Sequence, residues 1–124
     1  MVSPKTILIV DDQAVVRKVI AGRLGKSGYR VLMAPGGRDG LAMARREHPD
    51  LVILDLMMPD MEGGEVAQEL HDDEATREIP VIFLTALLPK QAHPNEAGPK
   101  SRDLMLPKEH KAEELLELVH RLIG

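Results

Sequence analysis

Residues 49–59 read Pro-Asp-Leu-Val-Ile-Leu-Asp-Leu-Met-Met-Pro, and this stretch gives the clearest indication of the fold. Its centre, Leu51–Leu54, is continuously apolar and contains β-branched residues. A short apolar run bounded by turn residues is typical of a strand buried on both faces, as in a parallel sheet. Four further runs of this kind, the last of them weak, occur along the chain: Ile7–Val10, Tyr29–Met33, Val81–Leu84 and Leu104–Leu106.

Longer segments with helical character alternate with these strands. Two of them carry apolar stripes at helical spacing, namely Val15, Val16, Val19, Ile20 and Leu24 near the start, and Leu115, Leu116, Val119, Leu122 and Ile123 at the end. Arg38–Glu47 and Glu65–Asp73 are the other two. Strands alternating with helices predict an α/β fold with right-handed crossovers and helices on both sheet faces. The fourth crossover helix falls on Pro89–Arg102, whose prolines predict that it is short or irregular.

Composition excludes several classes of protein. The chain has 124 residues, enough for one domain with a real core, and no cysteine, so disulfides, Cys-ligated metals and thiol catalysis are absent. Its net charge of −4, with Tyr29 and Phe83 as the only Phe, Tyr or Trp residues, argues against direct nucleic-acid binding. We find no secretory signal and no apolar run long enough to cross a membrane, so we expect a cytoplasmic protein.

Polar residues follow four of the predicted strands. Asp11 and Asp12 follow the first strand, Asp55 the third, Thr85 the fourth and Lys108 the fifth. Because ligands in open α/β sheets bind beyond the carboxyl ends of the strands, we expect these side chains to converge. Close carboxylates repel each other, and oxygen ligands without His or Cys suit Mg²⁺. The alternative is that Asp11 and Asp12 only cap a helix that starts near Ala14.

These residues resemble those of the receiver domain of two-component response regulators. The resemblance covers essentially the whole chain, 1–124, and the pieces that carry it are Ile7–Asp12, Pro49–Pro59, Gly63, Ile79–Ala86, Lys108 and Glu113–Leu115. It implies a flavodoxin-like, doubly wound sheet of five parallel strands in the order 2-1-3-4-5. It also implies a single receiver domain, and we expect no output domain within the chain.

The resemblance implies that Asp55 accepts a phosphoryl group from the phosphohistidine of a histidine kinase. Asp12, Asp55 and the backbone carbonyl of Met57 would hold Mg²⁺, and Asp11 would act through a metal-bound water. Thr85 and Lys108 would bind phosphoryl oxygens. The expected partners are a sensor kinase or phosphotransfer protein and a downstream protein, with the chain a monomer or weak dimer. It would catalyse only its own phosphorylation and dephosphorylation.

The sequence departs from the family pattern in three places. The usual Lys-Pro pair is Lys108-Glu109, so we expect no cis peptide after the lysine. Met105 stands where the family often has an aromatic residue, and Pro89–Arg102 replaces a regular helix. These differences leave open a pseudo-receiver that binds partners without switching. A phosphohydrolase is disfavoured, because Met57 occupies the position where such enzymes often carry a second aspartate.

We interpret the remaining motifs as structural rather than functional. Gly36-Gly37 and Gly63-Gly64 are predicted to serve turns that need a positive φ. Met58 is predicted to pack inward, while Met57 lies beside the site. The histidines are predicted to be solvated rather than metal ligands: His48, His71, His93, His110 and His120.

Overall fold

The computed structural model describes residues 3–86 and 103–124. In chain order the elements are β1 (Thr6–Val10), α1 (Ala14–Lys26), β2 (Arg30–Ala34), α2 (Gly37–Glu47), β3 (Leu51–Asp55), α3 (Gly63–Asp72), β4 (Val81–Thr85), β5 (Leu104–Pro107) and α4 (Ala112–Ile123). The predicted irregular fourth helix, Pro89–Arg102, lies outside the described residues.

The strands form one parallel sheet in the order β2-β1-β3-β4-β5, which confirms the predicted topology. The β3 residues are all buried, as their continuous apolar character predicts. β2 lies at an edge of the sheet and is only partly buried, and it runs one residue later than predicted. Gly28, at φ +94°, makes the turn that leads into it.

Alternate residues of the central strands pack into two separate hydrophobic cores, one on each face of the sheet. Leu8, Val52 and Phe83 pack with the helices α2 and α3 on one face. Ile9 and Ile53 pack with α1 and α4 on the other face. Because successive side chains of a strand point to opposite faces, one continuous apolar run supplies both cores. Helices therefore cover both faces of the sheet, as predicted.

The apolar stripe predicted for α1 is partly wrong. Ile20 and Leu24 are buried and Val16 packs beside them, but Val15 is 74% exposed and Val19 is 46% exposed. Residues four apart lie on one row of a helix, and the adjacent row is displaced by about 100°. The row that includes Ile20 faces the sheet, and the row of Val15 and Val19 faces away from it.

The prediction of solvated histidines is wrong for the buried His71, His110 is half-buried, and His93 lies outside the described residues. The His71 side chain has its Nε2 2.9 Å from Oδ2 of Asp103, which is also buried. His71 belongs to the core-facing side of α3, one turn after the buried Ala67. A buried imidazole needs a hydrogen-bond partner, and the carboxylate of Asp103, the residue before β5, supplies it. The pair joins α3 to β5.

The glycine pairs do not serve positive-φ turns, contrary to prediction. In the described residues the positive-φ glycines are Gly28 and Gly124. Gly63 is needed for space instead, because a Cβ there would collide with the backbone carbonyl of Asp55. The glycine lets α3 begin directly against the end of β3.

Across residues 3–86 and 103–124, every helix is too short or too polar to cross a bilayer.

Candidate functional site

Three aspartates meet at the carboxyl edge of the sheet. Asp55 is the last residue of β3, and Asp11 and Asp12 follow β1 on the neighbouring strand. One carboxylate oxygen from each lies within 4.8 Å of the others. Asp11 and Asp55 are buried, whereas Asp12 is exposed. The convergence predicted from the ends of the strands is therefore present.

Lys108 reaches into this cluster from the end of β5. Its Nζ donates to Oδ2 of Asp55 at 3.1 Å and lies 3.4 Å from Oδ2 of Asp11. Its backbone N–H donates to the carbonyl of Thr85 at 2.7 Å, which fixes the lysine beside the end of β4. One ammonium thus faces two buried carboxylates, and the cluster keeps an excess of negative charge.

The pKa values of the site reflect this crowding. Burial raises the pKa of the Asp55 carboxyl, and the charge of Asp11 adds to the effect. Hydrogen bonds from Lys108 and from the Met57 N–H act in the opposite direction without cancelling it. Burial opposes the charged form of Lys108, but the two carboxylates outweigh it and raise the pKa of this ammonium. Lys108 is therefore a permanent cation at neutral pH.

Thr85 ends β4, the strand beside β3. Asp55 lies opposite Leu84 in the sheet register, so Thr85 comes next along the adjoining strand. It is 5% exposed. The register therefore brings this hydroxyl-bearing residue to the same edge as Asp55.

Asp11 does not cap α1 in the way the alternative interpretation requires. The N-cap of α1 is Gln13, without a side-chain cap, and the first turn holds no acidic residue. Oδ1 of Asp11 accepts a hydrogen bond from the Gln13 N–H at 2.8 Å. Oδ2 is buried, and its charged neighbour is the Lys108 ammonium, 3.4 Å away. Because one ammonium does not neutralise three clustered carboxylates, their oxygens fit a hard divalent cation.

The loop after β3 is folded back onto Asp55. The Met57 N–H donates to Oδ1 of Asp55 at 3.2 Å. As predicted, Met58 is buried, and the Met57 side chain is exposed next to the site. The Gly63 N–H donates to the Leu56 carbonyl at 2.9 Å, which closes the loop where α3 begins.

Gln13 joins the site although the sequence reasoning did not single it out, and His110 closes the turn beside it. Oε1 of Gln13 accepts a hydrogen bond from Nζ of Lys108 at 2.8 Å, which holds the ammonium from a third side. Its position directly after the aspartate pair is the only signal in the sequence. His110 Nδ1 lies 2.7 Å from the carbonyl of Pro107, and burial lowers the pKa of this imidazole. The ring therefore bridges the turn that follows Lys108.

The departures around β5 are accommodated locally. The peptide after Lys108 is trans, as predicted, and the His110 contact closes the turn that contains Glu109. Met105 lies opposite Phe83 and packs, partly buried, against the core on the α2 and α3 face. It fills the space as a flexible apolar side chain.

Comparisons with known proteins agree with this geometry. Residues 7–120 match the family described as response regulator receiver domain. Over 81 residues, the chain is 46% identical to the probable transcriptional regulator ycf27 of Porphyridium aerugineum, a match covering 65% of this chain and 32% of that protein. The chain thus spans about a third of the length of this curated relative.

Two solved structures have the same fold. The chemotaxis protein CheY4 of Vibrio cholerae superposes with a TM-score of 0.80 at 26% identity, covering 96% of this chain and 98% of that one. The N-terminal domain of a response regulator receiver protein from Methanoculleus marisnigri JR1 gives 0.71 at 37% identity, with 96% of each chain covered. Together with the family match, these findings show that the chain belongs to the response regulator receiver domain family.

Proposed function

We propose that Asp55 is the phosphoryl acceptor of this receiver and that the state of Asp55 sets which partner the chain binds. The observation that carries the proposal is the position of its carboxylate. Oδ2 of Asp55 is 3.1 Å from the Lys108 ammonium, within a cluster of three aspartates. Phosphoryl transfer depends mainly on positioning and on neutralising charge, and this site offers both.

In the proposed reaction a carboxylate oxygen of Asp55 attacks phosphorus, and the bond from phosphorus to the donor nitrogen breaks. The products are an acyl phosphate and a free imidazole on the donor. Water later cleaves the acyl phosphate to inorganic phosphate and the original carboxylate. The donor is a histidine kinase or a phosphotransfer protein, because these carry a phosphohistidine.

The residues present fit Mg²⁺. Asp12 and Asp55 would hold it with the Met57 carbonyl, and Asp11 would act through a bound water. When bound, the ion neutralises charge on the phosphoryl oxygens. Lys108, whose Nζ is 3.1 Å from Oδ2 of Asp55, would supply a second positive charge, and Thr85 would donate a hydrogen bond to a phosphoryl oxygen.

Intact-mass spectrometry after incubation with acetyl phosphate and Mg²⁺ tests the proposal. We expect one phosphoryl adduct on the wild-type chain, and none on Asp55→Asn or in the presence of EDTA. Asp50→Asn, which changes an aspartate outside the site, should give the wild-type adduct. An Asp55→Asn chain modified to the wild-type level would overturn the assignment. A folded wild-type chain that stays unmodified would favour the pseudo-receiver.

A further inference from the structure

The start of α2 is capped by a residue from another part of the chain. Its own N-cap residue is Gly36, which has no side chain to satisfy the free N–H groups of the first turn. Asp60, in the loop between β3 and α3, takes that role. Its Oδ1 accepts a hydrogen bond from Gly37 N–H at 3.1 Å, and its Oδ2 accepts one from Arg38 N–H at 3.1 Å.

The two glycines at this helix start make room for the capping loop. A Cβ on Gly36 would lie 2.9 Å from Oδ1 of Asp60. A Cβ on Gly37 would lie 2.8 Å from Cβ of Met61 and 2.9 Å from Cγ2 of Val66. The glycine pair therefore allows the β3–α3 loop to sit directly on α2, a contact that larger side chains would prevent.

This contact is a charged one. The N–H groups of Arg38 and Gly37 lower the pKa of the Asp60 carboxyl, so it is ionised at neutral pH. A carboxylate at a helix N-terminus also interacts favourably with the helix dipole. Asp60 therefore fastens its loop to α2 with two hydrogen bonds that are strengthened by charge.

The same loop carries the Met57 backbone. Its near end is tied to the acceptor, because Met57 N–H donates to Oδ1 of Asp55. Its far end is closed by the Gly63 N–H on the Leu56 carbonyl. Between these two points, the attachment that Asp60 makes to α2 anchors the loop to a separate element of the fold.

We propose that Asp60 is a positioning residue for the acceptor site: by capping α2 it holds the β3–α3 loop so that Met57 stays beside Asp55. The inference rests on the proposed function, since the site it serves is the proposed Mg²⁺-dependent one. Asp60 itself touches neither Asp55 nor the transferred group. Residues that orient metal ligands from outside the ligand set commonly tune affinity, and Asp60 has that position here.

The first arm of the test uses the metal-free chain. Amide chemical shifts and hydrogen exchange are measured by NMR for the wild type, Asp60→Ala, Asp60→Asn and Asp50→Ala. Asp50→Ala is the matched control, because Oδ2 of Asp50 accepts a backbone hydrogen bond from Thr6 N–H at 2.8 Å where β1 begins. In Asp60→Ala the Gly37 and Arg38 amides should exchange about fivefold faster, and the Met57 amide should shift.

The second arm titrates the same four chains with Mg²⁺. Asp60→Ala should raise the Mg²⁺ dissociation constant about tenfold, and Asp60→Asn, which keeps one acceptor oxygen, should raise it less. Asp50→Ala should lose stability yet bind Mg²⁺ as the wild type does. The proposal is overturned if Asp60→Ala leaves the Met57 amide and the Mg²⁺ affinity as they are in Asp50→Ala. A wild-type chain that binds no Mg²⁺ would contradict the proposed metal site, and the Met57 amide would still decide the role of Asp60.

Discussion

At the scale of single residues, the site places negatively charged carboxylates close together in a buried position, which costs folding free energy. Asp55 and Asp11 are buried side by side, and Lys108 compensates only part of their repulsion. Burial keeps the pKa of Asp55 above its ordinary value, so ionising this group costs folding free energy. The proposed function accounts for an aspartate at this position, since a phosphoryl acceptor needs a free carboxylate.

Asp55→Asn is therefore expected to stabilise the metal-free chain by about 1 kcal/mol at neutral pH. A carboxyl whose folded pKa is raised binds more protons folded than unfolded, so its contribution to stability falls as pH rises through that pKa. The advantage of the variant should be largest at neutral pH and shrink as pH falls towards the ordinary value of 3.8. Urea unfolding in EDTA across this range measures it. If the stability difference between Asp55→Asn and the wild type grows on acidification, the pKa of Asp55 is not raised in the folded chain.

At the scale of elements, α3 starts directly against the end of β3. Gly63 has no room for a side chain, because a Cβ there would meet the carbonyl of Asp55. Its neighbour Gly64, in the same first turn, faces open space. The two glycines are adjacent in the sequence and differ only in their surroundings, which makes them a matched pair.

Gly63→Ala should destabilise the chain by about 2 kcal/mol, since the clash is with backbone that cannot move without displacing Asp55. Gly64→Ala should be neutral or stabilise it by about 0.5 kcal/mol, because alanine is favoured inside helices and meets nothing here. Urea unfolding compares the two. Equal effects of the two substitutions would show that the close approach of α3 to β3 is not what Gly63 provides.

Some features of the helices and strands could be predicted from the sequence, and others could not. The buried strands were predictable because continuous apolar runs such as Leu51–Leu54 have few other stable arrangements, and the strand ends then placed Asp55 near Lys108. The exposure of Val15 was not predictable, because valines occupy two adjacent rows of α1 and periodicity alone does not choose between them. The cap that Asp60 provides was also not predictable, because it joins residues more than 20 positions apart.

At the scale of the whole molecule, a buried polar pair joins helix α3 to the residue before the edge strand β5. His71 at the end of α3 and Asp103 before β5 are 32 residues apart in sequence and 2.9 Å apart in space. A single sequence offers no sign of such a partner, which is why His71 was wrongly expected to be solvated. The pair connects α3 to the chain that leads into β5.

Asp103→Ala should destabilise the chain by about 2 kcal/mol, because it leaves the buried His71 ring without its partner. Asp103→Asn, which retains an acceptor oxygen, should cost less. Asp72→Ala, an exposed aspartate at the end of the same helix, should change stability by no more than about 0.5 kcal/mol. Thermal unfolding measures all three. If Asp103→Ala and Asp72→Ala prove equivalent, the buried pair does not support the fold.

The proposed function makes Asp55 the one acceptor of the phosphoryl group. Borohydride reduces an aspartyl phosphate to homoserine, so reduction of the phosphorylated chain followed by peptide sequencing in a mass spectrometer locates the acceptor directly. We expect homoserine at position 55, and only when Mg²⁺ was present during phosphorylation. Homoserine at Asp11 or Asp12, or a phosphorylated chain with none at position 55, would contradict it.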